Sequence, residues 1–264
     1  MAGSLELYDN KLTGSIPTTF SKMTKLDSMD LSGNSLSGSI GSQIGDLLLL
    51  RSLDLSSNKF EGNVPTGIGL LTKLQYLSLK DNALLGTIPV NFKYLTDMRE
   101  LYLSKNDLDG DIGVIRSMKN LEWVALHDNQ FIGGLAATVS LTNLVGVQLH
   151  NNRMQEAMPV HWGDLKNLRF LDLSSNDFSG TIPKSVQDLH QLGKDELALI
   201  CESNLAKYTS LTLQTVVSAV HLALDHNHLT GQVPDGICDL TGLLRLSSDC
   251  GTDVQCNCCT ECHF

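Results

Sequence analysis

The chain has 264 residues, a formal net charge of −10 and a hydrophobic content of 42%. This hydrophobic content is sufficient for a folded core, which excludes an intrinsically disordered chain. Nucleic acids and anionic lipids bind basic surfaces, so the acidic balance excludes both as partners. No apolar run is long enough for a transmembrane helix, and we expect no direct insertion of this chain into a membrane.

A repeated LxLxxN pattern organises the sequence from its first residues. Its asparagines recur at steps of 24, 24, 24, 24, 23, 23, 24 and 51 residues. They are Asn10, Asn34, Asn58, Asn82, Asn106, Asn129, Asn152, Asn176 and Asn227. A leucine precedes each asparagine by three residues, and all six prolines of the chain follow an asparagine by seven. Spacing this regular indicates a solenoid of stacked repeats.

Each position of the repeat has a physical role. The alternating LxL segment predicts a short strand whose two leucines point into the core. The asparagine turns the chain, and its amide can bond neighbouring backbone groups, so the asparagines are expected to stack as an internal ladder. A glycine four residues later permits a tight backbone, and the Ile-Pro pair predicts an extended segment on the far side.

The unit LxxLxLxxNxLxGxIPxxLxxLxx resembles the plant-type leucine-rich repeat over residues 2–192 and 219–246. The resemblance implies an α/β solenoid, built as a right-handed horseshoe of 24-residue repeats with a parallel β-sheet on its concave face. It also implies the functions of that family, which forms receptor ectodomains and secreted inhibitors of cell-wall hydrolases. We assign residues 1–246 to the solenoid and residues 247–264 to a C-terminal cap.

The long step in the repeat spacing marks an irregular segment at residues 192–218. We favour a degenerate coil, in which Leu199, Cys201 and Asn204 take the ladder positions. An inserted helix is the second interpretation, because apolar residues in this segment also recur at helical spacing. An artefact of gene prediction is the third.

Cysteines distinguish the C-terminal end of the chain. Six of the seven lie in the last 27 residues. They are Cys238, Cys250, Cys256, Cys258, Cys259 and Cys262. Clustering of this kind predicts a disulfide cap over the last coil, and a zinc knuckle built from the CxCCxxCH motif is the alternative. This tail is similar to that of diatom leucine-rich-repeat families. The first residues already lie within a coil, so we expect the chain to be the C-terminal part of a longer protein.

The middle of the predicted concave face carries most of the unusual side chains. They are Tyr76, Tyr102, Trp123, His127, Asp128, Gln148, His150 and Phe170. Exposed aromatic residues are typical of binding hot spots, so these residues predict a site for a protein, peptide or glycan ligand. The alternative is that some of the aromatic rings cover gaps between strands.

Three other groups of polar residues are interpreted as structural. A histidine-rich edge is read as a solvated surface: His221, Asp225, His226 and His228. The DLDGD sequence at Asp107, Asp109 and Asp111 departs from the calcium-loop spacing and falls on the normal turn of the repeat. Acidic residues recur four positions before the ladder asparagine and form a carboxylate column that matches the consensus of the family: Glu6, Asp30, Asp54 and Asp172. We therefore predict neither a metal ion nor a cofactor.

No catalytic sequence motif is present, which predicts that the chain is not an enzyme. The leading interpretation is a non-catalytic recognition module, an extracellular or cell-surface domain of a receptor-like or secreted protein. The alternatives are an intracellular scaffold in the cytoplasm and a secreted inhibitor of cell-wall polysaccharide hydrolases.

Overall fold

The computed structural model describes residues 3–189, 221–234, 237, 245–249, 254–255 and 261–263. Within these ranges, eleven parallel strands form one continuous main sheet. The strands are Gly3–Glu6, Leu26–Asp30, Ser52–Asp54, Tyr76–Ser78, Glu100–Tyr102, Trp123–Ala125, Gly146–Gln148, Phe170–Asp172, His221–Ala223, Arg245–Asp249 and Glu261–His263. Each strand comes from one coil, so the predicted leucine-rich-repeat solenoid with a parallel sheet is confirmed.

The register of the main sheet follows the sequence repeat. Leu53 pairs with Leu77, Leu77 with Leu101, and Leu101 with Val124 on the next coil. These central strand residues are fully buried, because their side chains stack on those of the neighbouring coils. A single coil could not cover them, and burial of the apolar core therefore depends on the stacking. The right-handed sense of the solenoid stays a prediction.

A second parallel sheet, which was not predicted from the sequence, runs beside the first. Six of the described strands form it: Thr13–Gly14, Ser35–Ser39, Lys59–Asn63, Ala83–Thr87, Asp107–Asp111 and Gln130–Ile132. Three later strands pair in the same way: Ser179–Thr181, His228–Gln232 and Val254–Gln255. The repeat glycine lies inside these strands with positive φ, for example +77° at Gly38 and Gly62. Side chains disfavour this conformation, which explains why glycine recurs at this position.

Short 3-10 helices form the other side of the first eight coils. Those in the described residues are Thr18–Lys22, Ser42–Asp46, Thr66–Leu70, Val90–Tyr94, Gly113–Ser117, Leu135–Ala137, Trp162–Asp164 and Lys184–Asp188. The repeat proline is the residue before the helix in several coils, with φ of −63° at Pro17 and −65° at Pro183. The extended backbone predicted after Ile-Pro is thus brief, since a helix follows the proline at once. None of the helices described has the length and apolar character needed to cross a membrane.

The repeat asparagines join successive coils by hydrogen bonds. Asn58 donates to the carbonyl oxygen of Leu31 in the preceding coil (3.0 Å) and accepts from the N–H of Leu36 (3.0 Å). It also donates to Leu55 and Ser56 within its own coil. The same arrangement recurs at Asn34, Asn82, Asn106, Asn129, Asn152, Asn176 and Asn227. These side chains satisfy backbone groups that the turn would otherwise leave unpaired.

The coils on either side of the irregular segment pair directly. Strand Phe170–Asp172 lies beside His221–Ala223, and the N–H of Leu173 donates to Ala223 (3.0 Å). Residues 192–218 lie outside the described residues, so the degenerate coil, the inserted helix and the gene-prediction artefact all stay predictions.

Most of the predicted cap lies outside the described residues. This applies to Cys238, Cys250, Cys256, Cys258 and Cys259, and for Cys262 only the backbone is described, in strand Glu261–His263. The disulfide cap and the boundary at residue 246 therefore stay predictions. Strands at and beyond that boundary continue the register of the main sheet.

Candidate ligand-binding face

The solvent side of the main sheet, which we call the concave face, carries three pairs of rings from different coils. Tyr76 and Tyr102 have ring centroids 5.6 Å apart. Trp123 and Phe170 are separated by 5.9 Å, and the imidazoles of His127 and His150 stack at 4.3 Å with an interplanar angle of 11°. The structure therefore gathers these residues into three contacts across the sheet.

The tyrosine pair is fixed by two carboxylates. The hydroxyl of Tyr76 donates to Asp54 (3.0 Å), and that of Tyr102 donates to Glu100 (2.9 Å). Burial and the adjacent carboxylate raise the pKa of each phenol, so both tyrosines are neutral at physiological pH. Burial also raises the pKa of both carboxyl groups. Rings held in this way lose little conformational entropy when a ligand binds.

The Trp123–Phe170 contact depends on a glycine between them. Trp123 pairs with Gly146, and Gly146 pairs with Phe170 on the following coil. A Cβ atom on Gly146 would lie 2.2 Å from the indole of Trp123, so the indole occupies the space that this glycine leaves. Phe170 is only 5% exposed. It therefore supports Trp123 and offers little surface to a ligand, in line with the alternative that some rings cover gaps between strands.

The histidine pair replaces serine in the repeat. His127 and His150 each lie two residues before a ladder asparagine, where Ser32, Ser56 and Ser174 stand in other coils. In those coils the serine donates to an aspartate two residues earlier, as Ser56 does to Asp54 (2.6 Å). This bond gives the carboxylate column a structural role, as inferred from the sequence.

Each histidine contacts a carboxylate. Nδ1 of His127 lies 3.0 Å from Oδ2 of Asp128, and Nδ1 of His150 lies 3.1 Å from Oδ2 of Asp172. Asn151 donates to the other oxygen of Asp128 (2.7 Å). The histidine hydrogen bond lowers the pKa of Asp128, which is therefore ionised at neutral pH.

The backbone turn at the residue before the ladder asparagine determines the orientation of the Asp128 side chain. Asp128 has φ of +55° and Asn151 of +52°, and the corresponding residues of other coils share this left-handed conformation. Aspartate, asparagine and glycine tolerate it best. The recurrence of such residues directly before the ladder asparagine is a sequence signal for this turn, and the LxLxxN pattern does not include it.

The two stacked histidines differ in proton affinity. Burial lowers the pKa of His127 below its ordinary value of 6.5. Burial acts on His150 in the same direction, but the contact with Asp172 and the charge of that carboxylate outweigh it and raise the pKa of His150. The pair is therefore expected to take up its first proton on His150.

We expect histidine NMR to resolve this order. On lowering the pH through 6.5, the His150 resonance should titrate before that of His127, and Asp172→Asn should lower the pKa of His150. The raised pKa of His150 contributes stability below pH 6.5 that is lost as the pH rises through its folded value. The lowered pKa of His127 contributes stability above pH 6.5 that is lost on acidification. Titration of His127 at the higher pH would contradict the assignment.

The remaining predicted groups do not converge in the part of the chain that is described. His226 contacts Asp225 at 2.9 Å, whereas His228 faces Asp177 at 3.7 Å, and the side chain of His221 is outside the described residues. Asp107, Asp109 and Asp111 lie in one strand of the second sheet, all exposed. Gln148 ends the strand that carries Gly146 and is half-buried on the concave face.

Comparison with known proteins shows the family to which this fold belongs. A sequence profile described as leucine rich repeat matches residues 3–60 and 50–108, and a second profile of that description matches residues 167–189. No curated protein sequence matches the chain. Together with the parallel sheet and the repeat, these matches identify the chain as a leucine-rich-repeat protein of the plant type.

Solved structures of plant receptors share the fold. The crystal structure of a TDR receptor is 27% identical, with a TM-score of 0.80 over 96% of this chain and 39% of that one. The leucine-rich-repeat ectodomain of the receptor kinase GASSHO1/SCHENGEN3 from Arabidopsis thaliana, in complex with CASPARIAN STRIP INTEGRITY FACTOR 2, is 26% identical, with a TM-score of 0.76 over 98% and 34%. The plant peptide hormone receptor RGFR1 in complex with RGF2 is 26% identical, with a TM-score of 0.69 over 94% and 39%. The chain thus spans less than two fifths of each.

Proposed function

We propose that this chain is a non-catalytic recognition module that binds a peptide, or an extended segment of a protein, along its concave face. The observation that carries the proposal is the preorganised aromatic surface of Tyr76, Tyr102 and Trp123 on three coils of the main sheet. Partly exposed aromatic rings with fixed orientations are the side chains that most often dominate binding energy.

The proposal extends to location and context. Two of the similar structures are receptors solved with a bound partner, a peptide hormone receptor with RGF2 and a receptor kinase ectodomain with CASPARIAN STRIP INTEGRITY FACTOR 2. We propose that this chain likewise acts outside the cell, as part of a longer receptor-like or secreted protein. The disulfide cap proposed for its cysteines is consistent with an oxidising compartment.

The charge of the surface suggests the chemistry of the ligand. Asp54 and Glu100 border the tyrosine pair, and the net charge of the chain is −10. A peptide that carries lysine or arginine next to an apolar residue would complement both features, because opposite charges guide association and fix the register. An acidic peptide would face repulsion from the same carboxylates.

The test is a selection followed by titration. Peptides enriched from a random phage-displayed library on the immobilised chain are synthesised and titrated against the purified protein. We expect the double variant Trp123→Ala, Tyr102→Ala to weaken binding of the enriched peptides about tenfold or more, since each of the two truncations should cost more than about 1 kcal/mol, a factor of roughly five.

A matched variant separates this face from the rest of the surface. Tyr94 is 52% exposed and ends the helix Val90–Tyr94, away from the main sheet. Tyr94→Ala should leave the affinity unchanged, and thermal unfolding should confirm that the double variant is folded. Equal binding to the wild type and the folded double variant, or no enrichment of any peptide, would refute the proposal.

A further inference from the structure

His127, Asp128 and His150 place three potential metal ligands together on the concave face. One ligand atom from each residue lies within 4.8 Å of the other two, and this is the one group of three or more His, Cys, Asp or Glu residues with such geometry among the residues described. We propose that these three side chains form a binding site for a divalent transition-metal ion of the zinc type. This site is independent of the peptide-binding function proposed above.

The spacing of the ligand atoms suits such an ion. Nδ1 of His127 and Oδ2 of Asp128 are 3.0 Å apart. Two neighbouring ligands of a tetrahedral Zn²⁺ with bonds of about 2.0–2.1 Å are separated by about 3.3 Å, so an ion could enter between these atoms with a small displacement. His150 supplies the third ligand from the adjacent coil. An imidazole binds a metal in its own ring plane, so one of the two stacked rings, whose planes are 11° from parallel, must turn to face the shared ion.

The donor set selects the class of metal. Two imidazoles and one carboxylate form an N,N,O set, which zinc, copper and nickel prefer over calcium or magnesium. Three protein ligands leave one position on a tetrahedral ion, and the side chain of Asp128, 34% exposed, opens that position to solvent. Water is the ligand expected there in the isolated protein.

Neighbouring residues orient these ligands as residues around metal sites do. Oδ2 of Asp172 lies 3.1 Å from Nδ1 of His150 but forms no hydrogen bond with it in the present ring orientation. A turn of the ring would let this carboxylate orient His150 as carboxylates orient metal-binding histidines. Ser174 donates to Asp172 through its backbone N–H and its hydroxyl and holds that carboxylate in place. Asn151 similarly binds the second oxygen of Asp128.

Burial and replacement of the repeat residue support a specific role. His127 is 8% exposed, and the side chain of His150 is 15% exposed. Serine fills the same position in four other coils: Ser32, Ser56, Ser104 and Ser174. Two adjacent coils therefore bury an imidazole at a position where the smaller serine side chain is compatible with the fold. Because the histidines are 23 residues apart in the sequence, only the stacking of the coils reveals the pair.

The experiment compares Zn²⁺ binding by the whole chain and its variants. The protein is treated with chelator, dialysed and titrated with Zn²⁺ by calorimetry, and its ¹³C-labelled histidines are followed by NMR. The variants are His127→Ser and His150→Ser, which restore the common residue of the repeat and should preserve the fold. His226→Ser is the matched control, because His226 also contacts an adjacent aspartate at 2.9 Å.

We expect the wild type and His226→Ser to bind one more equivalent of Zn²⁺ than either His127→Ser or His150→Ser. The difference is the readout because the cysteine-rich tail could bind zinc in every variant equally. Zn²⁺ should shift the resonances of His127 and His150, and Asp172→Asn should weaken this binding about 10–100-fold. Equal stoichiometry and affinity in all four proteins, or unshifted resonances of both histidines, would overturn the proposal.

Discussion

Replacement of Asn106 by alanine is expected to lower the free energy of unfolding by about 3–4 kcal/mol. Asn106 is 9% exposed and donates to the carbonyl oxygens of Leu79, Leu103 and Ser104 at 3.0–3.2 Å. Its own carbonyl accepts from the N–H of Leu84 (3.0 Å). Alanine leaves these buried backbone groups without this partner, and each unsatisfied group costs about 1–3 kcal/mol.

The first coil supplies the control for this prediction. Asn10 occupies the same position in the repeat, but it is exposed and donates to Leu7 and Tyr8 at a surface that water reaches. Asn10→Ala should therefore cost less than about 1 kcal/mol, since water can replace the lost hydrogen bonds. Urea unfolding of both variants measures the difference. Equal effects of the two substitutions would show that the buried ladder hydrogen bonds do not stabilise the fold.

The same contacts explain why the position requires asparagine. An aspartate at residue 106 would place a carboxylate against the carbonyl oxygens of Leu79, Leu103 and Ser104, which now accept hydrogen bonds from the amide. Negative charge facing three oxygens in a buried site is strongly unfavourable. Only an amide of this length offers both the donors and the acceptor that the turn needs.

The fold was largely predictable because every coil buries the same repeat positions against its neighbours. Recurring leucines and asparagines indicated the stacked parallel sheet without any three-dimensional information. The second sheet was missed because its strands, such as Asp107–Asp111, have an interior glycine at positive φ, which is unusual within a strand. The direct pairing of Leu171 with Leu222 could not be predicted, because the step of 51 residues in the repeat does not show which strands are neighbours.

The candidate site was predictable as a region but not in its contacts. Their positions in the repeat placed Trp123 and Phe170 on one face. Their contact depends on the space left by Gly146, and the sequence pattern did not indicate a role for this glycine. The pairing of His127 with His150 likewise arises from adjacent coils. The sequence also did not indicate how far each side chain is buried. Burial distinguishes Trp123, which is partly exposed, from Phe170, which is buried.

Gly146→Ala is expected to displace the Trp123 indole and to destabilise the protein by about 1–3 kcal/mol, the usual cost of overpacking. The new Cβ atom would meet three ring atoms of Trp123 at 2.2–2.6 Å, far inside van der Waals contact. The indole must therefore leave its position against Phe170. Near-ultraviolet circular dichroism and thermal unfolding measure the two effects, with Trp162 contributing a constant signal from the core.

Gly3→Ala is the matched control, because Gly3 lies in the first strand of the same sheet and its Cβ atom would make ordinary contacts at 3.6 and 3.7 Å. It should change neither measurement. Gly146→Ala should also weaken binding of the enriched peptides although every concave aromatic residue remains in the sequence, because affinity for a rigid surface depends on where its rings are held. Loss of stability with unchanged peptide affinity would show that Trp123 serves the packing of the sheet rather than recognition.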